Sequence, residues 1–369
     1  MPGNPRLVYA WLTMKNQFSE LALIERIRSE WGTARHGIHR HLVLGIGDDC
    51  AILRPPKGHE LLVTTDFSLE GRHLRRDLHP PESVGHRALA RGLSDLAAMG
   101  ARPLAPFLSL ALPADLLTTR AGRAWVERFF TGLRTLADRY QISLAGGDTS
   151  ESPCGLVLAD IVLIGSAPAG RALRRNGAHP GDAIYVTGQL GGAAAELAAM
   201  QLRAAKSKSM PGAPAIPRLP RNGSRLTPQI YAAHPHIFPQ PRIPIGLALL
   251  RRSLATAAID LSDGLSTDLT HLCHESAVGA EIFATELPIH PLAQQSGSTN
   301  ALELALHGGE DYELLFTASP TTRVPRTLAG VLITRVGSLV PGKCILLISP
   351  DGRRTPLQSS GWEHFSNKH

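Results

Sequence analysis

No Cys-x-x-Cys pair occurs in this chain: Cys50, Cys154, Cys273 and Cys344 are scattered through it. That spacing indicates neither a zinc ribbon nor a disulfide framework, and reduced thiols in a cytosol fit it best. Long apolar runs are missing as well. Nothing approaches the roughly 18 residues of a membrane helix, and Leu7 to Leu12, the only apolar run near the start, makes a poor signal peptide. A cytoplasmic protein with no membrane partner is expected. Asp and Glu are absent from Gln201 to Ile245, where Arg203, Lys206, Lys208, Arg218, Arg221, Arg225 and Arg242 stand. Those seven charges account for the whole formal net charge of +7. The pI near 9.5 therefore has a local origin and does not mark a nucleic-acid-binding body. Rich in Pro, Ser and Gly and without a clear apolar period from Lys206 to Gln229, residues 203–230 read as a basic, flexible insertion.

Several catalytic signatures are missing too. There is no Gly-x-x-x-x-Gly-Lys-Ser/Thr phosphate loop, and Gly45-Ile-Gly47-Asp-Asp-Cys50 lacks the last glycine of the dinucleotide fingerprint. No Gly-x-Ser-x-Gly elbow exists, which disfavours a serine hydrolase. His271-Leu-Cys-His274-Glu matches neither zinc-protease order, and His36, His39 and His41 read as solvated loop histidines. A nucleotide needs another cradle, and Gly146-Gly147-Asp148-Thr149 and Ser262-Asp263-Gly264 offer amides and hydroxyls for one.

What is present is an ordinary globular composition, 43% apolar and 19% charged, over 369 residues. That length exceeds the usual single core, so two domains are expected. Helices are predicted over Glu20–Trp31, Ser83–Met99, Ala124–Tyr140, Gly192 to about Leu202 and Asp263–Glu275. Strands are predicted at Leu42–Asp49, Leu61–Asp66, Phe107–Leu112, Ile142–Asp148, Leu156–Ile164, Asp182–Gly188, Ala257–Asp260, Ala280–Phe283, Glu313–Thr317 and Ile345–Ile348. Strands and helices mix without a strict βαβ repeat, which gives an α+β class. The boundary falls near residue 168, dividing 14–168 from 169–369; residues 1–13 read as an upstream start or tail before Met14.

Apolar strands keep running into aspartates. Asp48 and Asp49, Asp66, Asp148 and Asp260 follow that plan, while Asp95 and Asp263 stand near helix starts. One such residue is commonly a cap or a turn. A repeated pattern points instead to carboxylates converging on a hard cation, and magnesium is the usual companion of phosphates.

Six stretches in order resemble the thiamine-monophosphate kinase family. They are Gly45-Ile-Gly-Asp-Asp-Cys-Ala51, Thr64-Thr-Asp66 with Glu70-Gly-Arg-His73, Leu93-Ser-Asp-Leu-Ala-Ala-Met-Gly-Ala101, Gly146-Gly-Asp-Thr149, Ile259-Asp-Leu-Ser-Asp-Gly-Leu265 and Gly308-Gly-Glu-Asp-Tyr-Glu-Leu314. The resemblance runs from about Met14 to Phe365 and is interrupted by the basic insertion. It implies a two-domain fold shared with aminoimidazole ribonucleotide synthetase: an N-terminal mixed sheet with helices that holds metal and ATP and dimerises, and a C-terminal α/β domain. By motif, Asp49, Thr64, Thr65, Asp66, Asp95, Asp148, Asp260 and Asp263 would hold several Mg²⁺ ions. Gly147, Asp148, Arg175 and Ser262 would meet ATP, and His73, Glu310 and Trp362 would line the thiamine monophosphate pocket. The implied reaction makes thiamine diphosphate and ADP in a homodimer, with no catalytic general base. Gly92 departs from the pattern, where the family has Asn. Another ATP-using synthetase of the same fold, or a regulatory module that binds nucleotide without turnover, are the alternative readings.

Overall fold

Ile24, Ile27 and Trp31 recur at helical spacing along one face of α1 (Glu20–Trp31), which buries Ile27 and Trp31. In the computed structural model the described residues are 20–31, 41–209 and 228–361. The elements that follow are β1 (Leu42–Leu44), β2 (Ile52–Leu53), β3 (His59–Leu69), α2 (Pro81–Ala98), β4 (Arg102–Leu112), α3 (Asp115–Thr118), α4 (Arg120–Arg139), β5 (Gly146–Glu151) and β6 (Leu158–Pro168). Then come β7 (Ala183–Thr187), α5 (Gly192–Ser209), α6 (Pro228–Ala233), α7 (Ile243–Arg251), β8 (Ala257–Leu261), α8 (Leu265–Ser276), β9 (Gly279–Phe283), α9 (Pro291–Gln294) and α10 (Ser298–His307). The chain closes with β10 (Glu313–Ala318), β11 (Thr327–Leu328), β12 (Val331–Val340), β13 (Ile345–Ile348) and β14 (Arg354–Pro356). Among the described residues no helix is long and apolar enough to cross a membrane. Two compact units result. Unit 1 is Met1–Pro55, Thr65–Leu89 and Leu104–Leu163; unit 2 is Pro56–Thr64, Ala90–Pro103 and Ile164–His369.

In unit 1, α4 buries Val126, Phe129, Phe130, Leu133 and Leu136 along one face, each worth about 1.5–3 kcal/mol as it leaves water. Thr119 caps it, its Oγ1 accepting from Gly122 N at 2.9 Å, which is typically worth about 1 kcal/mol. Two glycines bring α4 against α2: a Cβ on Gly85 would stand 1.9 Å from Phe129 O, and one on Gly132 1.9 Å from Glu82 O. Backbone meets backbone there, so any side chain would force the helices apart. The strands β3, β6, β4 and β5 form a four-stranded sheet in that order. Within it β4 and β5 run parallel, with Phe107 opposite Gly146 and Ser109 opposite Asp148.

Unit 2 carries a larger sheet in the order β14-β13-β9-β12-β7-β10-β8, with β11 added to β12. Every residue of β8 and β10 is buried, so these strands are near-continuous apolar runs. Ile184, Val186, Ile259, Leu269, Leu272, Leu315 and Val336 share one core.

The α+β class holds, and the long helices and β7–β10 lie where periodicity puts them. Three expectations change. Residues 142–145 are buried but stand outside any strand, so β5 begins only at Gly146 and Asp148 sits inside it. Asp66 likewise lies within β3 and not at its end. Helical backbone runs to Ser209 and resumes at Pro228, covering both ends of the segment read as an insertion; 210–227 lie outside the described residues. The strand β12 was not foreseen, because a bulge between Arg335 and Gly337 breaks its two-residue alternation.

Candidate active site

Unit 1 contributes a cavity of about 800 Å³, the size of a ligand pocket. Gly45–Ala51 forms one wall and Leu144–Thr149 the other, over a floor that includes Ile24, Ile27, Phe107 and Phe130. The loop after β1 is set locally, with Asp48 Oδ1 accepting the N–H of Asp49 at 2.8 Å, and both carboxylates are exposed. On the opposite wall Gly147 has φ +148°, and a Cβ there would lie 1.9 Å from Leu108 O. Only glycine lets the start of β5 press this closely on β4. Asp49, Gly147 and Asp148 therefore line one cavity. Thr65 is exposed and Asp66 half-buried on β3.

His73 occupies a braced loop of the same unit. Glu70 takes Arg76 Nε at 2.8 Å on one oxygen and Val157 N at 2.9 Å on the other. Arg87 donates to His73 O at 3.1 Å. Leu69 N–H donates to His73 Nδ1 at 3.1 Å. A nitrogen that accepts has no proton, so the neutral ring carries its proton on Nε2 and offers a donor from there.

Asp95, expected near a helix start, stands instead with Ser94 in the last turns of α2 (Pro81–Ala98), which reach in two directions within unit 2. Thr64 Oγ1 donates to Asp95 Oδ2, and Ser94 Oγ donates to Asp260 Oδ2 at 2.8 Å. The strand β8 carries the buried Asp260 into the turn Ser262–Gly264 ahead of α8. There Asp268 Oδ2 accepts the N–H groups of Asp263 and Gly264, both at 3.1 Å. Burial first, then the charges of Asp260 and Asp263, push the Asp268 carboxyl up to about 8. Negative charge is crowded at this turn. Glu310 joins it, since its N–H donates to Ser262 O at 2.8 Å and Tyr312 N–H to Leu261 O at 2.9 Å.

Some proposed residues are not gathered. Arg175 is exposed, and its carbonyl accepts from Ser276 Oγ at 2.6 Å. That places its main chain at the far end of α8 from Ser262, roughly 18 Å away along a helix of 12 residues. Trp362 lies outside the described residues. Among the described residues no three His, Cys, Asp or Glu side chains stand close enough together to hold a metal ion. Four of the eight metal candidates, Asp49, Thr65, Asp66 and Asp148, belong to unit 1, and Thr64, Asp95, Asp260 and Asp263 to unit 2. His41, expected in solvent, is half-buried with Nδ1 3.0 Å from Arg54 O. Sequence gave little warning of Ser94 and Asp268; an acid in the first turn of α8 was the only trace of the second.

Residues 47–167 match the family described as AIR synthase related protein, N-terminal domain, which defines the class of fold. A thiamine-monophosphate kinase of Salmonella typhimurium is 39% identical over 333 residues, 87% of this chain and 92% of that one. The crystal structure of thiamine-monophosphate kinase from Stenotrophomonas maltophilia has a TM-score of 0.71 at 35% identity, covering 92% of this chain and 98% of its own. A second structure, AaThiL complexed with AMPPCP and TMP, has a TM-score of 0.67 at 29% identity, covering 95% and 98%. This chain belongs to the thiamine-monophosphate kinase family.

Proposed function

We propose that this chain transfers the γ-phosphoryl group of ATP to the phosphate of thiamine monophosphate, giving thiamine diphosphate and ADP. One observation carries the reading: 39% identity to a curated thiamine-monophosphate kinase over 92% of that protein. The structural relative complexed with AMPPCP and TMP supports the same substrate pair.

The acceptor is a phosphate monoester with a second pKa of about 6, largely ionised near neutral pH, so no general base is needed. Two anions must instead be brought together. Gly147, Asp148, Arg175 and Ser262 are the proposed contacts for ATP; His73, Glu310 and Trp362 are those for thiamine monophosphate. His73, with its proton on Nε2, suits a donor to phosphate oxygen and not a base. All eight residues proposed to hold Mg²⁺ offer carboxylate or hydroxyl oxygens, the donor type a hard divalent cation takes. The residues proposed to hold Mg²⁺ are Asp49, Thr65, Asp66 and Asp148 of unit 1, and Thr64, Asp95, Asp260 and Asp263 of unit 2. Held by these residues, Mg²⁺ would supply charge neutralisation for the phosphate oxygens.

Residues 14–168 are the proposed metal-, ATP-binding and dimerisation domain and 169–369 the C-terminal domain of a cytoplasmic homodimer. Support for the dimer comes from β3, where Leu61, Val63 and Phe67 stand exposed on one side of the strand. The test is ADP release with and without thiamine monophosphate in the presence of Mg²⁺. Release that depends on thiamine monophosphate, and that Asp95→Asn largely abolishes in a folded protein, is expected. Release indifferent to thiamine monophosphate sinks the reading.

A further inference from the structure

The segment 234–242, directly after α6, carries none of the motifs above, yet three of its side chains meet three carboxylates. His234 Nδ1 lies 2.7 Å from Glu196 Oε1 on α5, and Glu196 Oε2 accepts the N–H of His236 at 2.8 Å. His236 Nδ1 lies 3.1 Å from Glu310 Oε2. Arg242 donates from Nε to Glu313 Oε2 at 2.6 Å and from Nη2 to Oε1. Two of these carboxylates belong to Gly308–Leu314, the stretch that holds the proposed substrate residue Glu310. Arg242, one of the seven charges counted between Gln201 and Ile245, is half-buried in a two-pronged ion pair.

Glu310 is held in an unusual conformation. Its φ is +68°, and that of Tyr312 is +51°, a region strained for an L residue that persists only when its surroundings impose it. The main chain is pinned by the bonds to Ser262 and Leu261, and His236 adds a bond to the carboxylate itself. Only the ring can donate to a carboxylate, so Nδ1 carries the proton in this pair. The two side chains also differ in access: His236 is 1% exposed and Glu310 24%. His236 is sealed from any ligand, whereas Glu310 is open to one.

We propose that His236 is a positioning residue that aims the Glu310 carboxylate at the cationic thiamine moiety of the acceptor, so that 234–242 sets acceptor affinity from behind the substrate loop. The inference rests on the reading of Glu310 as a substrate residue. Loss of the donor removes one restraint on a rotamer-rich carboxylate, which must then be ordered further on each binding event. The cost falls on the acceptor and not on ATP.

The test is steady-state kinetics of the full chain, with each substrate varied in turn. His236→Leu is expected to raise KM for thiamine monophosphate about tenfold, with kcat and KM for ATP within about twofold. His236→Asn keeps an amide nitrogen on Cγ, where Nδ1 is attached, and should restore KM to within about threefold of the parent; His236→Gln carries its nitrogen one atom farther out and should not. On a Glu310→Gln background, His236→Leu should add less than about twofold, because the two residues act as one unit. Equal KM values in the Asn and Gln variants overturn the proposal even where the Leu variant does not fold. So do multiplying effects in the double variant, or a rise in both substrates' KM. ADP release indifferent to thiamine monophosphate in the parent removes the functional reading itself. Dependence on it in the parent, with Glu310→Gln impaired and His236→Leu normal, removes only the role of His236.

Discussion

At the scale of single residues, the hydrogen bond from Leu69 N–H to His73 Nδ1 decides what chemistry that ring can do. A histidine with an acceptor Nδ1 presents a proton, and to serve as a base through Nε2 it must first lose it. His73→Gln is therefore expected to raise KM for thiamine monophosphate while kcat stays within roughly tenfold, not the 10² to 10⁴ seen when a general base is lost. The acid limb of kcat/KM should persist in the variant, with an apparent pKa near 6, since it belongs to the substrate phosphate. A thousandfold fall in kcat together with loss of that limb would make His73 catalytic.

Among the elements, α5 shows how one acid can serve a helix and cost the fold at once. Asp311 accepts Gly191 N–H at 2.7 Å and Ala193 N–H at 3.2 Å, closing the N-terminus of α5. Burial nonetheless outweighs those bonds and pushes its carboxyl up to about 7 from 3.8. The folded state thus binds the proton more tightly than the unfolded chain, so this contribution is fully present below the unfolded value and is lost as pH rises through about 7. In the parent, Tm should gain from it as pH falls from about 8 toward 5, and Asp311→Asn should lack that component. Identical slopes would show that the carboxyl does not titrate there. The next helix, α6, limits how much chain can be removed. Replacing only residues 210–227 with a short flexible linker should leave Tm and kcat near the parent values. Extending the deletion into α6 should lower Tm, because Tyr231 is buried and packs edge-on against Phe238 at 6.4 Å. A large loss from the shorter deletion would show that the basic stretch is packed.

For the whole molecule, the prediction concerns self-association. On β3, Leu62 and Ser68 are buried, whereas Leu61, Val63 and Phe67 are 47%, 61% and 60% exposed. Three large apolar side chains on one side of a strand are a liability in a lone subunit and an asset in a dimer. Phe67→Asp, at a position 60% exposed, should convert a dimer into a monomer in analytical ultracentrifugation without a large change in Tm. A monomeric parent, or a dimer untouched by Phe67→Asp and Val63→Lys, would exclude this face.

Local chemistry and periodicity already determined much of this protein. Helices α1, α2 and α4 follow from apolar residues at three- and four-residue spacing, and the buried strands β7 to β10 from short β-branched runs, because both patterns act over a few neighbouring residues. Glycine-aspartate clusters likewise marked a phosphate chemistry and a family before any fold was known. Only the tertiary structure decided the rest. Asp148 lies within β5 because pairing with Ser109 of β4, not its own propensity, sets that strand. Arg242 became an ion-paired residue and His236 the partner of Glu310 through contacts spanning some seventy residues of sequence. Such pairs leave no periodic signal, since their energy comes from desolvated partners that are brought together only when the unit 2 core closes.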